Sequence, residues 1–199
     1  MGEYMKMAKV VGSAVISLLV LLTAGCQSFG PLRIKPVAAA HGAVLEPHFQ
    51  LAYYRVDRAG MYHFYLQATT PPTGTDAAIT QIAIIRVLWK PIPGVTPILH
   101  TAINATFRYL VITPSGAGMY QGAGFIRIHN GPRAPVMHAS VVAGDLRLTG
   151  AAGYFRDALG PSRIVGNITA VRSGSKTLAL TLGAQREFYL KTYRFRQRR

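Results

Sequence analysis

Tyr62 to Ala68, YHFYLQA, alternates without a slip: Tyr62, Phe64, Leu66 and Ala68 on one face, His63, Tyr65 and Gln67 on the other. Successive side chains of a strand point to opposite faces, so this is the pattern of a half-buried β-strand. Gln81 to Trp89, QIAIIRVLW, is apolar on both faces apart from Arg86 and reads as a central strand. Phe107, Tyr109 and Val111 alternate with Arg108, Leu110 and Ile112 in the same way. Further candidate strands are Phe125 to His129, Val136 to Val142, Asp145 to Thr149, Ile164 to Val171, Thr177 to Leu182 and Glu187 to Phe195. In Thr177 to Leu182 the period-two face is Leu178, Leu180 and Leu182.

Turn residues separate these runs at Asn130-Gly131-Pro132, Gly144-Asp145, Gly160-Pro161-Ser162 and Ser173-Gly174-Ser175. After residue 48 no 3.6-residue apolar stripe is sustained, so no helix is expected. The prediction is an all-β domain over residues 49–199, a single antiparallel barrel or sandwich of about 8–10 strands. Pro71 to Thr75 and Pro91 to Pro97 are the longer loops, expected at the ends of the sheet where a binding mouth would lie.

Outward from that domain the chain changes character. Residues 26–48 keep no period and carry Pro31, Pro36 and Pro47, so they read as a tether. Its reach is about 25 Å by chain statistics. Before it stands Val10 to Cys26, VVGSAVISLLVLLTAGC, preceded by Lys6 and Lys9. The uncharged run from Val10 to Leu22 has the length of a signal-peptide apolar region and falls short of the roughly 20 residues that span a bilayer.

Leu22, Thr23, Ala24, Gly25 and Cys26 resemble the lipobox of bacterial lipoprotein precursors, with Thr23 standing where Leu is usual. The resemblance implies a signal peptide over residues 1–25, cleavage before Cys26, and acylation (palmitate among the chains) of that cysteine. Two or three acyl chains anchor stably where one does not, because each buried methylene contributes about 0.8 kcal/mol. By the sorting rule of proteobacterial lipoproteins, Gln27 implies the outer membrane, facing the periplasm. The residues alone leave open an uncleaved anchor extending to Leu32, or ordinary cleavage with Cys26 incidental.

Charge and cysteine content bound the chemistry. Cys26 is the only cysteine, which excludes an internal disulfide and any cysteine-based zinc or redox site. Loss of the leader would remove Lys6, Lys9 and Glu3, leaving 20 Lys/Arg against 6 Asp/Glu, a formal +14. Five of the cations, Lys191, Arg194, Arg196, Arg198 and Arg199, fall in the last nine residues, KTYRFRQRR. On an exported chain they predict contact with anionic lipid, lipopolysaccharide or peptidoglycan. Nucleic acid, the usual partner of such a charge, is not expected outside the cytosol.

Catalytic signatures are weak. His41, His48, His63, His100, His129 and His138 form no metal-ligand spacing, although His129 and His138 face each other across the turn at Asn130-Gly131. Asp57, beside Arg55 and Arg58, and Asp157, after Arg156, read as members of surface ion pairs. No nucleophile elbow, dinucleotide loop or phosphate loop is present. No catalytic residue, metal or cofactor is therefore predicted. The tyrosines, Tyr53, Tyr54, Tyr62, Tyr65, Tyr109, Tyr120, Tyr189 and Tyr193, suit either a pocket mouth or cross-strand packing.

Leu148 to Gly160, LTGAAGYFRDALG, resembles the late hairpin of allene oxide cyclase and dirigent-like barrels through Gly150, Gly153, Phe155, Ala158 and Gly160. No catalytic residue of that family lies in the matched segment. The expected function is that of a membrane-anchored envelope module acting by binding or structural association. The alternative is a small-ligand carrier or cyclase/isomerase using a barrel lumen of that type. A hollow interior would mark the carrier or enzyme; a filled one with a surface patch would mark the binding module.

Overall fold

The computed structural model describes residues 31–38, 44–72, 78–88 and 103–196. In it the period-two runs wind into a single sheet. The strands are β1 (Arg33–Pro36), β2 (Leu51–Val56), β3 (Tyr62–Thr70), β4 (Ile79–Val87), β5 (Ala105–Ile112), β6 (Gly116–Ile128), β7 (Val136–Gly153) and β8 (Ser162–Arg172). One helix, α1 (Gly174–Arg196), follows. From β2 to β8 each strand pairs antiparallel with the next. The end of β8 then meets β2 in parallel, Tyr53 opposite Val171 and Tyr54 opposite Arg172, and this closes the barrel. Closure leaves few free edge groups to recruit a stray strand. The expected all-β barrel is thus observed, with one parallel seam.

Alternation decides what goes where. Tyr54 of β2, Phe64 of β3, Ile85 of β4, Phe107 and Tyr109 of β5, and Ile164 and Ile168 of β8 are buried in one interior cluster. Tyr65, Ile82, Leu110, Ile112 and Ala117 project from the opposite face and form a second cluster with Ala184 and Phe188 of α1. The helix therefore roofs part of the outer wall.

Four sequence expectations need correction. Thr177 to Leu182 and Glu187 to Phe195 are not strands but lie in α1. Its buried contacts fall on Thr177, Ala184 and Phe188, a helical spacing whose first two positions are a polar and a small residue that an apolar count overlooks. Leu178 and Leu182, which mimic a strand face, are instead 45% and 56% exposed.

Val136 to Val142 and Asp145 to Thr149 are one strand, because a register shift between Val141 and Asp145 absorbs the Gly144-Asp145 signal as a bulge. Strand β6 begins at Gly116, well before Phe125, through a glycine-rich stretch that lacks apolar contrast. Finally, the expected tether contributes β1, with Ile34 opposite Ile164 and both Leu32 and Ile34 buried in the core. Pro71-Pro72 follow β3 as predicted for a loop. Residues 73–75 and 91–97 lie outside the described residues.

Candidate functional site

Large side chains pack inside the barrel, and a pocket of about 280 Å³ bordered by Leu32, Ala52, Leu66 and Ile168 of the interior cluster lies beside β2 and β8. Five tyrosines are buried, and three that point inward, Tyr54, Tyr109 and Tyr120, have hydroxyls that find partners. Tyr54 donates to the Ala134 carbonyl and Tyr109 to Gln81 Oε1. Tyr120 donates to Asp157 Oδ1 at 2.7 Å, and the same oxygen accepts the backbone N–H groups of Leu159 and Gly160. Burial raises the pKa of Tyr109, and burial together with the Asp157 carboxylate raises that of Tyr120. Asp157 thus clasps the loop after β7. Phe155 from that loop lies edge-on to Tyr120 and sits on Gly118, where a Cβ would come within 2.2 Å of its ring. Gly153 turns the chain into the loop with φ of 66°, a conformation that disfavours any side chain.

The outer wall is different. Where α1 lifts off the sheet, a groove of about 620 Å³ opens between the helix and strands β3 to β6. Cross-strand register builds its floor. His63 lies opposite Arg86, and Arg86 opposite Thr106. One rung along, Ile84 lies opposite Arg108, and Arg108 opposite Gln121. Arg86 and Arg108 are therefore diagonal neighbours on adjacent strands, close enough for long side chains to converge. Thr181 and Gln185, one helical turn apart on α1, form the facing wall.

Among the described residues no carboxylate oxygen comes within 4.0 Å of either guanidinium. The nearby Asp57 is committed to His63 at 2.9 Å rather than to Arg55 or Arg58. That hydrogen bond, with backbone N–H bonds from Met61 and Ala59, holds the Asp57 carboxyl below its usual value. Beside this patch Tyr65 donates to Gln67 Oε1 at 2.6 Å, and burial pushes its phenol up to about 12.

A third feature is the solvent face of α1. Leu178, Leu182, Tyr189 and Tyr193 are all exposed and recur at helical spacing, so they form one stripe. Arg186 lies in the same sector of the helix. Of the predicted tail cations, Lys191 faces the barrel instead. Its ammonium donates to the carbonyls of Thr113 at 2.9 Å and Pro114 at 3.4 Å. Arg194 and Arg196 fall in the last turn of α1, while Cys26, Arg198 and Arg199 lie outside the described residues.

The chain matches no known protein family, no curated protein and no solved structure. Function therefore rests on the side chains themselves. The polar cluster on β6 to β8 is not arranged for nucleophilic attack. Ser140 donates its proton to Asn167 Oδ1 at 2.8 Å, which makes His129 Nε2, also at 2.8 Å, the donor to Ser140 and not its base. Burial first, and then Arg127 and His138, lower the pKa of His129. Among the described residues no three His, Cys, Asp or Glu side chains gather at a metal position. No described helix is long and apolar enough to cross a membrane.

Sequence reading missed the groove, because Arg86 and Arg108 are far apart in the chain and only the β4–β5 register joins them. The available signal was a lone cation in each of two otherwise apolar strand runs.

Proposed function

We propose that this chain is a lipid-anchored protein of the bacterial cell envelope, held through Cys26 at the outer membrane, whose barrel acts by binding at its outer surface. The observation that carries the surface role is the α1 stripe of Leu178, Leu182, Tyr189 and Tyr193, with Arg186 beside it and the basic tail beyond. An interfacial helix combines these features: apolar and aromatic groups enter the headgroup boundary while cations meet anionic lipid. The occupant proposed for this face is the anionic bilayer itself. The packed interior cluster, with a bordering pocket of only about 280 Å³, favours this role over a carrier or cyclase working through a lumen.

With β1 beginning at Arg33, only Gln27 to Gly30 separates Cys26 from the isolated bridge at Pro31. The five residue steps from Cys26 to Pro31 reach at most about 18 Å even fully extended, so the body would stay close to the membrane.

The test uses the full chain. An alkyne fatty acid supplied to growing cells should label the wild type and not Cys26→Ala. The unlipidated Cys26→Ala protein should bind phosphatidylglycerol vesicles at low salt, more weakly at high salt, and markedly less when Leu182→Ser and Tyr189→Ser are added. Equal labelling of both chains would overturn the anchor. Vesicle binding indifferent to the two α1 changes, or preferred binding to isolated peptidoglycan, would overturn the proposed occupant.

A further inference from the structure

We propose that the groove between α1 and the β3–β6 wall is a specific site for a phosphate monoester, gripped by Arg86 and Arg108. Arg86 and Arg108 set two like charges on diagonal positions of adjacent strands, within reach of long side chains, and charges so placed repel unless an opposite charge intervenes. Here the protein supplies none within 4.0 Å among the described residues: Asp57 is engaged by His63, and Glu187 of α1, whose charge is felt at Tyr65, forms no ion pair with either arginine. A dianionic phosphate on two guanidinium forks resolves that repulsion, since the planar N–H pairs of arginine match its oxygens.

The rest of the lining fits the same class of ligand. Gln121 from β6, with Thr181 and Gln185 from α1, adds neutral hydrogen-bonding groups around the cations, while Ile84 gives one apolar contact at the floor. Neutral donors and acceptors suit the hydroxyls of a sugar or glycerol body. At about 620 Å³ the groove exceeds what a bare phosphate ion needs and leaves room for such a body. The site needs neither lipidation of Cys26 nor contact between α1 and a bilayer, so it stands or falls separately from the surface role.

Glycerol 3-phosphate is the probe, titrated calorimetrically into the full chain in nonionic detergent, with sodium chloride at matched ionic strength as the blank. Saturable one-site binding is expected. Removing either fork, Arg86→Gln or Arg108→Gln, should weaken it about tenfold or more, as loss of a charge-assisted bidentate contact does. Arg86→Lys, which keeps the charge without the fork, should fall between. Arg133→Gln, an exposed cation in the β6–β7 turn, should change nothing.

Circular dichroism and Tm verify that the variants fold, and competition on phosphatidic acid vesicles separates two sources of the phosphate. If glycerol 3-phosphate displaces the vesicles, the ligand is a lipid headgroup; if it binds without displacing them, the ligand is a soluble molecule. Heats no larger than the chloride blank, or equal binding by wild type, Arg86→Gln and Arg108→Gln, would overturn the site. Vesicle binding could persist in that case through α1.

Discussion

The two faces of the barrel wall share one backbone and one two-residue period, yet they serve different ends. Inside, Tyr54, Tyr109 and Tyr120 fill space with their rings and spend their hydroxyls on Ala134, Gln81 and Asp157. Outside, the same strands present apolar residues under α1 and a cationic patch next to it, with Leu110 and Arg108 only two positions apart on β5. Closure explains the difference. The interior of a small closed barrel is narrow enough for its own side chains to pack, whereas the outer wall can leave part of its surface for a roof and part for a ligand. Function on this scaffold is therefore sought on the convex side, where the demands of packing relax.

If the interior is the part that packing governs, Tyr109→Ala should be the most damaging change. Tyr109 is fully buried, packs at 6.3 Å from Tyr120 between ring centres, and satisfies Gln81. Truncation removes a large ring and orphans a polar partner, so a loss of about 3–5 kcal/mol is expected. Urea unfolding followed by circular dichroism measures it. A loss under about 1 kcal/mol would mean that the interior is loosely packed, and the carrier alternative would revive.

The roofed part of the outer wall should respond less. Phe188 is 5% exposed, but it touches the wall from one side only, near Gly150 and Met119. Phe188→Ala is expected to cost about 2–3 kcal/mol, the value of burying one such side chain. Hydrogen exchange sharpens the contrast. Amides of α1 should open in Phe188→Ala while those of β3 to β5 stay protected, the signature of a local rather than global opening. Equal loss of protection in both would show that helix and barrel are one cooperative unit.

These contrasts also show what was legible in the residues. Strands β3 to β5 could be read because a one-sided or two-sided apolar pattern is a local property. Strand β6 could not, since Gly118 exists to admit Phe155, a partner distant in sequence. Helix α1 defies an apolar count because two of its leucines, Leu178 and Leu182, face solvent, while two of its three anchoring positions, Thr177 and Ala184, are polar or small. Register alone assembles the groove, and register is set by the whole sheet. The tail cations were visible as a run, but the capture of Lys191 by the β5–β6 turn depends on how the helix docks.

The smallest effect tests the boundary between the two faces, at Asp57 on the β2–β3 turn. Its Oδ1 accepts the N–H groups of Ala59 at 2.9 Å and Met61 at 3.0 Å, and Oδ2 meets His63 Nε2 at 2.9 Å beside the groove. The His63 hydrogen bond is the largest cause of the lowered carboxyl pKa. A carboxyl whose folded pKa is lowered stabilises the fold fully above its unfolded value, near 3.8, and loses that contribution as pH falls through the folded value. Asp57→Ala should therefore cost about 1 kcal/mol at neutral pH, in line with a few partly exposed hydrogen bonds. The gap between wild type and variant should narrow as the carboxylate protonates below that range. Thermal unfolding of both chains at a series of pH values from neutral to strongly acid measures the gap directly. A gap that stays constant across the series would show that Asp57 acts only as a neutral turn acceptor. In that event neither His63 nor Arg86 would engage its charge, since either partner would lower the carboxyl pKa and make the gap depend on pH.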